Sequence, residues 1–213
     1  MTHEFDRPYW EQHWQRAHGR QARRELEPNP RLVAEVTGLP PGTALDAGCG
    51  EGGEAIWLAS QGWHVTAADI STEALARAAD RARDQDVDVR WVRADLTEWQ
   101  PETTFDLVAT HYAHPTGSQL DFYERIARWV APGGTLLVIG HTQGDHGYGH
   151  GDHGHGDGEP PASASVTAAD VAARFSGPEW DVVTAAERER VVGVANRRQK
   201  VLRDVVVRAT RAR

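Results

Sequence analysis

Ala44-Leu45-Asp46-Ala47-Gly48-Cys49-Gly50-Glu51-Gly52-Gly53 is the stretch that decides the fold. Residues 43–46 read as a short apolar strand, and 54–60, closed by Gly62, read as a helix. The glycines between them let the backbone approach a ligand closely, with the N-terminus of the helix facing it. Asp69 ends a second strand over 63–68, nineteen residues beyond Gly50. A carboxylate at that position can accept hydrogen bonds from both hydroxyls of a ribose. Turn and carboxylate together point to a nucleoside cofactor.

Outward from this unit, strands and helices alternate. The spacing of Leu75, Ala78, Ala79 and Ala82 predicts a helix over 72–83, followed by strands over 87–92 and 105–110. Leu120, Tyr123, Ala127 and Val130 align on a helix over 119–130, and 134–140 reads as a fifth strand. Apolar runs without strict alternation suit a parallel sheet covered on both faces. The predicted fold class is therefore α/β, doubly wound and mostly parallel. Near the C-terminus the order changes. Thr167 and Asp170 form a capping box for a helix over 168–174. Strands over 180–186 and 202–209 then follow with no clear helix between them, which predicts an antiparallel edge. At the other end, residues 8–24 carry Tyr9, Trp10 and Trp14, the two tryptophans at helical spacing, before a break at Pro28 and Pro30.

The 213 residues are expected to form a single domain, 1–213, in which 1–38 make a helical lid and 141–166 a flexible loop rich in Gly, His and Asp. A net charge of −8 argues against nucleic acid as a partner, since phosphate binding relies on clustered Lys and Arg. No apolar run suggests a membrane partner, and the N-terminal residues lack the apolar core of a secretory signal. With Cys49 as the single cysteine, no intrachain disulfide forms, and a cytoplasmic location is expected.

Gly48, Gly50 and Gly53 also satisfy the dinucleotide fingerprint, so a nicotinamide cofactor competes. Three features favour a methyl donor. Asp46 lies two residues before the first glycine, where it would face a pyrophosphate unfavourably but can reach the amino-acid part of a methionine cofactor. Arg93-Ala94-Asp95-Leu96 follows the third strand, and Asp95 can accept from an adenine amino group. Ala131-Pro132-Gly133-Gly134 enters the fifth strand, and the terminal strand pair completes the order. These motifs, with Phe105-Asp106-Leu107-Val108, resemble those of class I methyltransferases in their sequential order. Trp10–Trp14 and Pro28-Asn29 bring the resemblance nearest to small methyltransferases of the tellurite-resistance and thiopurine type.

The resemblance implies a seven-stranded sheet with the last strand antiparallel, S-adenosylmethionine as cofactor, and S-adenosylhomocysteine as product. It implies cofactor contacts from Asp46, Gly48, Cys49, Gly50 and Gly52 at the methionine end, and from Asp69 and Ile70 at the ribose. Asp95 and Leu96 would meet the adenine, Thr110 and His111 the sulfonium, and Trp14 would close over the cofactor.

Methyl transfer from a sulfonium needs alignment and exclusion of water more than a dedicated base. Candidates nevertheless gather beyond strands four and five, where an open α/β sheet binds its ligands. His111, Tyr112, His114 and His141 are the candidate catalytic residues, His111 and His141 foremost. The expected acceptor is a small molecule presenting sulfur, oxygen, nitrogen or a chalcogen oxyanion. A second reading comes from His146, His150, His153 and His155, which alternate with glycines and acids. Imidazoles bind divalent metals readily. That loop would make the chain a metal-binding or sensing module on a methyltransferase-like fold, although glycines leave the ligands unorganised.

Overall fold

Alternation along each strand sends successive side chains to opposite faces, and here both faces are buried. On β4 (Phe105–His111), Val108 packs into one core cluster while Leu107 and Ala109 pack into the other. On β5 (Val130–Thr142), Leu136 and Val138 take the first side, Leu137 and Ile139 the second. All of these are fully buried. Each such Leu, Ile or Val contributes about 1.5–3 kcal/mol by leaving water. The structure, a computed structural model, describes residues 5–17, 27–142, 165–194 and 198–213.

The chain opens with α1 (Arg7–Ala17) and α2 (Pro30–Val36), then β1 (Thr43–Ala47), α3 (Gly53–Ser60), β2 (His64–Asp69), α4 (Thr72–Asp84) and β3 (Val89–Arg93). After β4 come α5 (Gln119–Ala127), β5, β6 (Ser165–Val166), α6 (Ala168–Ala173), β7 (Trp180–Val194) and β8 (Arg198–Arg211). Strand order is β3-β2-β1-β4-β5-β8-β7, with β6 also on β5. β1 to β5 are parallel, β8 runs antiparallel to β5, and β7 pairs antiparallel with β8. This is the doubly wound sheet that the alternating pattern predicts.

Four details differ from the expectation. The sheet has eight strands rather than seven, because the two-residue β6 joins β5 at His141 and Thr142. The break before Pro30 stands, but a helix not singled out in the sequence follows it: Asn29 caps α2, its Oδ1 accepting from Arg31 N at 2.9 Å, and Pro30 opens the first turn. Proline is well suited there, since its missing N–H would have no helical partner. Val130 belongs to β5, paired with Phe105, and not to α5, which ends at Ala127. Finally, β7 and β8 run for 15 and 14 residues. β8 pairs with β5 only over Asp204–Thr210, so the hairpin continues past the C-terminal end of β5 as a two-stranded ribbon.

Candidate active site

The glycine turn requires glycines for two separate reasons. Gly48 has φ +84°, and a Cβ there would collide with that of Ala113. Gly52 has φ +81°, and its Cβ would lie 2.6 Å from the Trp91 ring and 2.9 Å from Ala78. The turn is anchored from β2: Gly48 N and Cys49 N both donate to Ala68 O, and Gly50 N donates to Asp69 Oδ2 at 2.8 Å. Asp69 Oδ1 accepts from Ser71 N at 2.9 Å, and Ser71 in turn caps α4. Burial raises the Asp69 carboxyl to about 6, even though these amide bonds favour its ionised form.

A cleft opens above this turn at the C-terminal ends of β1, β2 and β4. Of the sequence-predicted residues, Trp14, Asp46, Gly48, Cys49, Gly50, Gly52, Asp69, Ile70, Asp95, Leu96, His111, Tyr112 and His114 line it. Phe5, Trp10 and Phe122 contribute further apolar wall. Asp46 is 1% exposed, and neither of its carboxylate oxygens has a hydrogen-bond partner among the described residues. Its nearest cation-capable neighbour is Nδ1 of His111, at 3.6 Å. That is longer than a hydrogen bond. Burial pulls the His111 imidazole down, but Asp46 and Glu54 outweigh it and hold the pKa above the ordinary value. Burial and the neighbouring His141 push His114 down to about 3, so it is neutral at physiological pH. Cys49 is a buried thiol held well above its usual range by burial, then by Asp69 and Asp46.

Three predicted residues are placed otherwise. Thr110 is absent from the cleft wall; its hydroxyl donates to Ala47 O at 2.8 Å, a buried tie between β4 and β1. Tyr112 presents its ring to the cleft, but its hydroxyl points away and donates to Asp204 Oδ1 at 2.6 Å. Burial and then the Asp204 charge push that phenol far above its usual range, so it is not a base at neutral pH. His141 stands behind the wall, its ring 4.7 Å from that of Tyr112 and 5.3 Å from that of His114. Asp95 lines the cleft while its Oδ1 binds the amide and hydroxyl of Thr97. His146, His150, His153 and His155 lie outside the described residues. Among the described residues, no cluster of three or more His, Cys, Asp or Glu could hold a metal ion.

Sequence reasoning missed the groups that hold α1 over the cleft. Glu11 accepts from Ser71 Oγ at 2.8 Å, Thr72 N at 3.0 Å and Glu73 N at 3.3 Å. It thereby satisfies free amides at the N-terminus of α4, where negative charge is favoured. Arg77, from the next turn of α4, donates to Trp14 O at 2.7 Å and to Glu51 Oε1 at 2.9 Å. Arg81 binds the other oxygen of Glu51 at 2.7 Å. One helix thus fastens both the glycine turn and α1, with Trp14 seated against Gly50. No local pattern announces these partners, which lie tens of residues apart.

Residues 44–134 match the methyltransferase domain family. Over that stretch, under half of its length, the chain is similar to methyltransferases. It is similar to an uncharacterized methyltransferase of Mycobacterium tuberculosis, 39% identical over 108 residues, which are 47% of this chain and 52% of that protein. The chain spans about half the length of the curated relatives it matches. Its fold is similar to that of TehB from Haemophilus influenzae, with a TM-score of 0.67 over 95% of this chain and 67% of that one at 13% identity. It is also similar to magnesium protoporphyrin IX methyltransferase from Synechocystis PCC 6803 with bound S-adenosylhomocysteine. There the TM-score is 0.66 at 16% identity, over 97% of each chain. The methyltransferase sheet accounts for the strand order and for the antiparallel β8. No helix among the described residues is long and apolar enough to cross a membrane.

Proposed function

We propose that this chain transfers the methyl group of S-adenosylmethionine to a small-molecule nucleophile. The observation that carries the reading is the buried Asp46 carboxylate, without a hydrogen-bond partner among the described residues and facing an open glycine turn. Such a group is costly unless a ligand completes it. The α-ammonium of a methionine cofactor has the charge and donors to do so. A pyrophosphate would be repelled there, which disfavours nicotinamide dinucleotides.

The remaining donors and acceptors fit the same ligand. The amides of Gly48, Cys49, Gly50 and Gly52 are taken within the protein, and those in the first turn of α3 are the ones offered to the carboxylate. Asp69 has lone pairs beyond those used by Gly50 and Ser71, and these suit ribose hydroxyls. Asp95 and Leu96 stand at the adenine end of the cleft, and α1, with Trp10 and Trp14, serves as the lid.

When bound, S-adenosylmethionine supplies a methyl group on a sulfonium and leaves as a neutral thioether. The residues around it align the nucleophile and exclude water, and orientation of this kind is worth roughly 7–11 kcal/mol. Phe5, Trp10, Tyr112 and His114 form the wall on the acceptor side. Asp46 favours the tautomer of His111 with the proton on Nδ1, which leaves Nε2 to take a proton from an acceptor that carries one. A thiolate or oxyanion acceptor needs no such base.

Calorimetric titration with S-adenosylmethionine, S-adenosylhomocysteine and NADH tests the proposal. Saturable binding of the two adenosyl compounds and none of NADH is the expected result. A chain that binds neither adenosyl compound does not have this function.

A further inference from the structure

Tyr112 and Asp86 are the two described non-glycine residues with positive φ. Asp86 sits in the turn after α4, where a short polar residue tolerates this conformation. Tyr112 is different: a bulky residue at φ +52°, buried at the mouth of the cleft. A left-handed backbone there is strained and persists only where the surroundings hold it.

What holds it lies across the sheet. The Tyr112 hydroxyl donates to Asp204 Oδ1 at 2.6 Å and accepts from Asn29 Nδ2 at 3.1 Å. Arg190 grips both oxygens of Asp204 through Nε, at 3.1 and 2.9 Å, and reaches the Tyr112 hydroxyl through an Nη at 3.3 Å. Asp204 is 1% exposed and Arg190 12%, so the pair sits largely out of water. Burying such a pair brings little stability that apolar packing would not match. Hydrogen bonds, unlike packing, have direction.

The conformation they impose has a consequence at the site. Tyr112 N still donates to Ile139 O at 2.9 Å, as a strand residue would. The chain then turns so that Ala113 occupies the space against Gly48 that a side chain there would need. Gln119 bolts the far side of the loop, donating to Ala113 O at 2.9 Å. We propose that Asp204 and Arg190, both in the β7–β8 hairpin, are positioning residues for the cleft. Through the Tyr112 hydroxyl they hold the loop at 111–116, and so set the distance between the acceptor wall and the glycine turn.

The test compares Tyr112→Phe, Asp204→Asn, Arg190→Ala and Arg190→Lys with the wild-type chain. Amide hydrogen exchange is followed at 109–118 and, as reference, in β1 to β3. S-adenosylhomocysteine affinity is measured by calorimetry well below the melting temperature. Losing a hydrogen bond to a buried charge should speed exchange at 109–118 by about tenfold or more while the reference strands stay protected. Affinity for S-adenosylhomocysteine should fall by a similar factor, and Arg190→Lys should recover most of what Arg190→Ala loses. An equal rise in exchange across the whole chain, as from mere loss of stability, overturns the proposal. So does an unchanged loop, or a loosened loop with unaltered affinity. Should Asp204→Asn fail to fold, Tyr112→Phe, which keeps the ring, decides the matter. The affinity measurement rests on the proposed function. If the wild-type chain binds no S-adenosylhomocysteine, that function fails, and the exchange pattern alone upholds or overturns the positioning role.

Discussion

The carboxylate of Asp46, at the end of β1, faces Nδ1 of His111, at the end of β4, across 3.6 Å, with their side chains 1% and 5% exposed. β1 and β4 are neighbours, and their register pairs Asp46 with Ala109, two residues before His111. An acid assigned to the cofactor and an imidazole assigned to the acceptor therefore share one electrostatic environment. Replacing Asp46 with Asn removes one of the two charges that raise the His111 pKa and leaves Glu54 alone against burial. The expected outcome is a downward shift of the His111 titration by NMR. Affinity for S-adenosylhomocysteine should fall by roughly a hundredfold, as when one partner of a buried charge pair is lost.

If Asp69 holds the ribose as proposed, cofactor binding is expected to weaken in acid. Its carboxyl, raised to about 6 by burial, is ionised at neutral pH and gains a proton as pH falls through that value. A protonated carboxyl loses acceptor capacity for the ribose hydroxyls. S-adenosylhomocysteine affinity measured by calorimetry from pH 8 to 5 should be flat above about 6.5 and weaken below about 6. Asp69→Ala should bind weakly at every pH and lose this inflection.

His114 makes folding stability sensitive to acid as well. Its folded pKa, lowered to about 3 by burial and by His141, lies below the ordinary histidine value of 6.5. The unfolded chain therefore binds more protons between those values, and this contribution to stability is lost as pH falls through the window. Asp69, raised rather than lowered, gains stability over the upper part of the same interval and partly offsets the loss. Replacing His114 with Leu should flatten the acid limb of the melting temperature between pH 6.5 and 3, as measured by calorimetric scans.

Glu11 fastens α1 to the N-terminus of α4 through three hydrogen bonds, and these, outweighing burial, lower its pKa. In Glu11→Ala the capping interaction is lost, about 1 kcal/mol or somewhat more. If α1 is the lid, stopped-flow tryptophan fluorescence should show S-adenosylhomocysteine leaving about fivefold to tenfold faster, with the melting temperature little changed.

Gly52→Ala combines a strained φ of +81° with a Cβ 2.6 Å from the Trp91 ring. Denaturant titration should show a loss of about 2–4 kcal/mol, the sum of left-handed strain and overpacking.

Much of this was legible in the sequence because its causes are local. The glycine turn, the Asp69 position and the capping of α6 by Thr167 follow from residues a few places apart, and all are found as expected. Errors arose where one residue type serves two purposes. Val130 continues the apolar spacing of α5 although it begins β5. Thr110 carries a hydroxyl suited to a ligand, but the Ala47 carbonyl on the neighbouring strand claims it. Glu11, Arg77, Arg190 and Asp204 left no trace, since each acts on a partner between 14 and 92 positions away.

The overhang of the β7–β8 ribbon gives the Asp204 network a mechanical meaning. Beyond Asp204, where the pairing of β8 with β5 stops, the two strands pair with no other strand among the described residues, and Arg31 of α2 holds Glu189 O at 2.6 Å. A free pair of strands is weakly stable and bends readily, whereas the sheet behind it is stiff. Asp204 is thus the root of a cantilever, and a load applied to the ribbon concentrates as torque at that residue. Tyr112, bonded to Asp204, would pass it on to the cleft wall.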